Sequence, residues 1–163
     1  MSKLNIFIDG NNIFHSAKSE NVNIDYSKLC NYIKQDRELI KTIFYTGVDD
    51  TSVNEDQKKF ILWLKRNGFK VVTKSLNIDS TNSRKHVSYY PEMVTDMFFF
   101  KKNIDVIAIV GGSDALIHPI RRLSDSGIRI ELYAFENSVS NKLLDEVDRY
   151  VLLNECKEFI GKA

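Results

Sequence analysis

Lys3-Leu4-Asn5-Ile6-Phe7-Ile8-Asp9-Gly10-Asn11-Asn12 is the stretch on which the fold turns. A short, mostly apolar run stops at Asp9, and turn and helix-cap residues follow, so the spacing predicts strand, turn, helix. The same punctuation recurs downstream. Thr42 to Thr46 predicts a second strand ending at Gly47, and Asn54 to Asn67 a helix with Phe60, Ile61, Trp63 and Leu64 on its stripe. Phe69 to Thr73, Asp105 to Val110 and Ile128 to Ala134 read as three more strands, with Tyr150 to Leu153 as a short extra one. Helical spacing also marks Asp25 to Lys34, the apolar stretch after Pro91, Ala115 to Ser126, and Ser140 to Val147. Asn77 to Lys85 is polar and without period, a loop.

Strands that alternate with helices, several of them continuously apolar, predict an α/β fold. The expected architecture is a mostly parallel central sheet of about five strands with helices on both faces. A length of 163 residues with 43% hydrophobic content suits one domain over residues 1–163.

Lys and Arg number 23 against 22 Asp and Glu, so the molecule as a whole attracts polyanions weakly. Nucleic acid would need a local patch, for which Lys70, Lys74, Arg84 and Lys85 around the polar loop, with Arg121 and Arg122, are the candidates. No apolar run is long enough to span a bilayer and residues 1–8 lack a signal-peptide pattern, so a cytoplasmic protein without a membrane partner is expected. Cys30 and Cys156 have no CxxC or nearby His partner and read as reduced core thiols. His15, His86 and His118 are scattered and read as structural or surface residues, while Trp63, Phe98, Phe99 and Phe100 read as core.

Function in such sheets sits outside the carboxyl ends of the strands. The polar turns fall there: Asp9, Asn11 and Asn12 after the first strand, Asp49 and Asp50 after the second, Ser113 and Asp114 after the fourth, Asn137 and Ser138 after the fifth. Glu92 and Asp96 are four apart and share one helix face. Asp96 lies on an otherwise greasy helix, where a charge is costly to bury without a partner. The plain alternatives are a helix cap at Asp9 and a lysine pair at Asp96. Carboxylates converging on one rim repel unless a hard cation neutralises them, which points to Mg²⁺ or Mn²⁺ and phosphodiester hydrolysis. Asn11 or Asn12 would position a phosphate oxygen or a metal-bound water.

Phe7-Ile8-Asp9-Gly10-Asn11-Asn12-Ile13 resembles the opening motif of NYN domains, members of the PIN-like nuclease superfamily. The likeness runs through Tyr45-Thr46-Gly47, Glu92 to Met97, Val110-Gly111-Gly112-Ser113-Asp114, Pro119 to Leu123 and Gly127 to Glu131. It implies a PIN-like three-layer sandwich and a metal-dependent ribonuclease. Asp9, Asp96, Asp114 and Asn12 would be catalytic, with Asp9, Asp96, Asp114 and Glu92 around Mg²⁺ or Mn²⁺. Asn11, Ser113, Arg84 and Lys85 would bind the RNA, and a homo-oligomer is allowed for.

The sequence also departs from the family. Ser113 and Ala115 stand against two family aspartates with Asp114 displaced between them, and Tyr90 stands where many relatives have Asp. The alternative is therefore a catalytically weak or inactive PIN-like module that binds RNA or a protein partner. A haloacid dehalogenase type of phosphatase needs a second Asp at the position of Asn11, and receiver-domain Thr and Lys signals are absent.

Overall fold

A computed structural model describes residues 1–78, 85–86 and 88–163. The chain runs β1 (Lys3–Asp9), α1 (Gly10–Ser19), α2 (Tyr26–Lys34), β2 (Glu38–Val48), α3 (Glu55–Arg66) and β3 (Lys70–Ser75). Two short strands follow, β4 (Asn77–Ile78) and β5 (Lys85–His86), and then α4 (Tyr90–Phe99) and β6 (Val106–Val110). The last elements are α5 (Ile117–Asp125), β7 (Arg129–Ala134), α6 (Asn141–Leu144), β8 (Arg149–Leu152) and α7 (Lys157–Ile160).

Six strands form one all-parallel sheet in the order β3-β2-β1-β6-β7-β8. The α/β expectation holds, with six strands rather than about five, because the short stretch near Tyr150 pairs with β7 from Glu131↔Arg149 to Ala134↔Leu152. Period-two alternation sends each strand's side chains to two separate cores. Leu4, Ile6 and Ile8 of β1 face a core with Ile13, Leu29, Ile33, Leu64 and Ile160 from α1, α2, α3 and α7. Phe7 faces the other, with Met93, Met97, Ile120, Leu123 and Leu143 from α4, α5 and α6. Both faces of β6 are thus buried, which is why Val106 to Val110 reads as an unbroken apolar run. Truncating Ile109, which is fully buried, would cost roughly 2–5 kcal/mol.

Local signals set most boundaries. Asp25 caps α2 by accepting from the Ser27 and Lys28 amides, and Asn54 caps α3 through the Gln57 amide. The segment read as one helix from Ala115 divides into a 3-10 turn, Asp114–Leu116, and α5. The helix expected to reach Val147 stops at Leu144, because Asp148 must meet β7: its amide donates to Ile130 O and its carboxylate accepts from Ile130 N. The polar stretch read as a loop contains the antiparallel pair β4–β5, Asn77↔His86 and Ile78↔Lys85.

Two aromatic readings are corrected. Phe99 is 75% exposed and Trp63 39%. Helical rotation turns Phe99 outward, while Phe98 packs at the edge of the second core and Phe100 lies under the Lys41 and Lys70 ammonium groups. Among the described residues no helix is long and apolar enough to cross a membrane.

From β1 the chain steps outward to β2 and β3 on one side, and from β6 to β7 and β8 on the other. The strand order therefore reverses between β1 and β6. The carboxyl ends of these two strands, Asp9 and Val110, flank the crevice that such a reversal opens.

Candidate functional site

Asp9 is at once the last residue of β1 and the N-cap of α1, accepting from the Asn12 amide at 3.2 Å. The chain turns immediately under it because position 10 has no side chain: a Cβ there would lie 2.3 Å from Tyr45 O and 2.6 Å from the Phe44 ring. The β6 end approaches just as closely. Gly111 adopts φ +83°, and a Cβ on it would lie 2.9 Å from Asn12 Oδ1 and 3.2 Å from Asp9 Cβ. The Gly111-Gly112 pair thus packs the β6 turn against Asp9 and Asn12.

The Asp9 carboxylate is 1% exposed, and its other partners are neutral. The Tyr89 hydroxyl donates to Oδ1 and the Tyr90 hydroxyl to Oδ2. No cation contacts Asp9 among the described residues. Burial and then the Asp9 charge push both phenols above their ordinary range, with the hydrogen bonds to Asp9 adding to the shift. Both hydroxyls consequently stay protonated and donate. Tyr89 OH also accepts from the Asn11 amide at 2.9 Å.

A second acid is held in the same manner. Tyr45 OH donates to Asp96 Oδ2 at 2.7 Å, and burial followed by that hydrogen bond raises the phenol. The Tyr45 and Tyr89 rings stack with centroids 5.9 Å apart, so Asp9 and Asp96 receive hydroxyls from one aromatic pair. Asp9, Asn11, Asn12, His15, Tyr89 and Tyr90 line a cavity of about 230 Å³ at this point.

The remaining sequence-derived residues are placed elsewhere or otherwise engaged. Asn11 Oδ1 accepts from Thr46 Oγ1 and the Gly47 amide, both at 3.3 Å, which ties α1 to the end of β2. Asn12 Nδ2 donates to Gly112 O at 3.2 Å, and its buried Oδ1 has no hydrogen-bond partner. Glu92 lies against Lys74 Nζ at 2.9 and 3.1 Å. Asp114 is exposed and accepts from the Ser140 hydroxyl, while Ser113 caps the 3-10 turn through the Ala115 amide. Arg84 lies outside the described residues, and for Lys85 only its backbone place in β5 is described. In the basic surface, Lys74 pairs with Glu92, Arg121 with Glu146 and Arg122 with Asp125, which leaves little unpaired charge there.

The sequence reading missed the tyrosines. Tyr90 was noticed only as a replaced acid, and Tyr45 and Tyr89 not at all as partners of carboxylates. The available signal was three phenols close in sequence to the strand-end and helix acids of an otherwise apolar neighbourhood.

A hard cation needs several oxygen ligands free to turn toward it. Asp9 accepts hydroxyls on both oxygens, Asp96 holds Tyr45, Glu92 holds Lys74 and Asp114 holds Ser140. Among the described residues no three His, Cys, Asp or Glu side chains gather as a cation site. The donor set present does not fit Mg²⁺ or Mn²⁺.

Comparison with known proteins gives a consistent lineage. Residues 3–154 match the family model described as the NYN domain. The chain is 30% identical to the Low amplitude and bright protein LabA of Synechococcus elongatus, over 99% of this chain and 89% of that one. A crystal structure of a protein of unknown function from Vibrio parahaemolyticus superposes with a TM-score of 0.81 at 19% identity, covering 98% of this chain and 96% of that chain. At that identity the likeness is one of fold.

Proposed function

Since the chain belongs to the NYN domain family, within the PIN-like nuclease superfamily, we propose that it is a cytoplasmic RNA-binding module that does not cut RNA by a divalent-cation mechanism. The observation that carries this reading is the Asp9 carboxylate, buried and accepting from Tyr89, Tyr90 and the Asn12 amide. Tyr90 stands at a family acid position and fills the neighbouring carboxylate's need with a proton donor instead of adding a second negative charge. Ser113 replaces another acid and hydrogen-bonds Tyr90.

The resulting lip is rich in hydroxyls over a buried negative charge. Such a surface suits a ribose 2′-hydroxyl or a base edge, which can donate and accept, better than a phosphate, which only accepts. Phosphate contacts then fall to cations around the opening. His15 is the nearest candidate, since it is exposed and lines the same cavity.

The competing reading is hydrolysis of RNA with Mg²⁺ or Mn²⁺ on Asp9, Asp96, Asp114 and Glu92. It requires Tyr89 and Tyr90 to release Asp9 and Tyr45 to release Asp96. Two measurements separate the readings. Thermal denaturation with millimolar Mn²⁺ should leave the melting temperature of the wild type unchanged, and labelled single-stranded RNA should be bound but remain intact with or without chelator. An Mn²⁺-dependent rise in melting temperature that Asp9→Asn abolishes, together with chelator-sensitive cleavage, would establish the metal nuclease.

A further inference from the structure

A second, larger cavity of about 760 Å³ meets the Asp9 pocket along Asn11 and His15, which line both. Its volume is in the range of ligand sites, and its walls come from α1, the segment that follows it, the end of β2 and the start of α3. We infer that this cavity is the binding path of single-stranded RNA leaving the Asp9 pocket, with one base stacked on Phe14. The inference rests on the RNA-binding reading and extends it to named residues.

Phe14 is 58% exposed although it lies on α1 beside fully buried Ile13, and its ring meets that of His15 edge-on at 5.4 Å. An aromatic face left open at a cavity wall is what a base needs for stacking, whatever its identity. The floor is already packed: Tyr26, Phe44 and Phe60 contact one another with centroids 5.2 to 5.5 Å apart. Phe14 has no such neighbours beyond His15 and is the surface available to an incoming ring.

The polar groups point the same way. Asn54 uses Oδ1 to accept from the Gln57 amide, and Gln57 uses Nε2 to donate to Gly47 O at 3.0 Å. Each amide keeps one group without a bond among the described residues, Asn54 Nδ2 as donor and Gln57 Oε1 as acceptor. A base edge needs one of each. Lys18 and Lys162 line the cavity and form no ion pair among the described residues, in contrast with Lys157 nearby, which pairs with Glu20. Asp56 is the one acid among the lining residues, so the cations exceed it. An open aromatic, two unpaired lysines and unused amide edges together match a nucleotide chain better than an apolar or acidic ligand.

The test is fluorescence anisotropy of a labelled single-stranded RNA 12-mer on the full chain across a salt series, with a free mononucleotide as competitor. Phe14→Ala should weaken binding about tenfold, as expected for loss of one base stack, while Phe159→Ala, which removes an exposed ring stacked on Tyr32 instead, should leave it unchanged. Lys18→Glu with Lys162→Glu should weaken binding and lower the salt slope by about two. Circular dichroism checks that the variants are folded, and both substitutions are at surface positions. Wild-type affinity in Phe14→Ala and in the double lysine variant, with RNA still bound, would overturn the path and leave the RNA-binding reading standing. Mononucleotide binding as tight as that of the 12-mer would overturn the path as well. Wild-type protein that binds no RNA removes the functional reading itself.

Discussion

Two carboxylates in this protein are each 1% exposed, Asp9 at the carboxyl end of β1 and Glu131 within β7, and the chain satisfies them in opposite ways. Glu131 accepts from Arg37 at 2.9 Å, from Arg129 at 3.1 Å and from Tyr133 OH at 2.7 Å. Burial alone would raise its pKa, but those hydrogen bonds and the Arg37 charge outweigh burial and hold it below its usual value. Asp9 is met only by neutral donors. One charge is cancelled where it lies, which is the arrangement of a structural clamp between β7 and the α2–β2 turn. The other is hydrogen-bonded but not cancelled, at the crevice where strand order reverses, and that residual charge marks the rim as the place of function.

The largest expected effect breaks the clamp. Arg37→Ala leaves Glu131 buried without its main countercharge and should cost about 3 kcal/mol at neutral pH, read by urea denaturation. The pH dependence carries the sign. Because the folded-state pKa of Glu131 is lowered, its contribution is present above the unfolded-state value, roughly 4.3, and is lost as pH falls through the lower folded value. Wild type should therefore lose stability on acidification in that window. Arg37→Ala should lose less, since protonation then relieves an unpaired charge.

A smaller effect is expected at the other carboxylate. Tyr89→Phe removes a buried donor from Asp9 and should cost about 2 kcal/mol, and Tyr90→Phe, at a half-buried position, about 1 kcal/mol. The pair should be non-additive, because both hydroxyls serve one carboxylate. A double-mutant cycle with zero coupling would mean that Asp9 is solvated instead of caged, and the contrast with Glu131 would fail.

The smallest effect sharpens the comparison from the surface. Glu92 also has a cationic partner, Lys74, but both side chains are about a third or more exposed. Glu92→Gln should change stability by under about 1 kcal/mol, and that small change should vanish in high salt. A larger, salt-insensitive loss would place Glu92 with the buried clamp.

Much of this was determined by the sequence alone. Period-two strands, apolar helical stripes and caps at Asp25 and Asn54 are local signals, and they set the α/β class and most element boundaries. The turn after β1 and the Gly111-Gly112 turn after β6 were readable for the same reason, as was the likeness to NYN domains. The sixth strand was only half legible, because Arg149–Leu152 becomes a strand by pairing with β7, a contact made across sequence. The helix that stops at Leu144 and the outward rotation of Phe99 were decided by packing against elements far along the chain.

The site divides along the same line. That Asp9 ends a strand and caps a helix follows from its neighbours in sequence. That its charge is shared with Tyr89 and Tyr90, eighty positions away, follows only once α4 packs beside β1 and β2. Sequence counts the acids near a rim and makes a cation the economical neutraliser. Only the tertiary structure shows which donors reach each carboxylate, because hydrogen-bond satisfaction depends on distances and directions that no local pattern encodes.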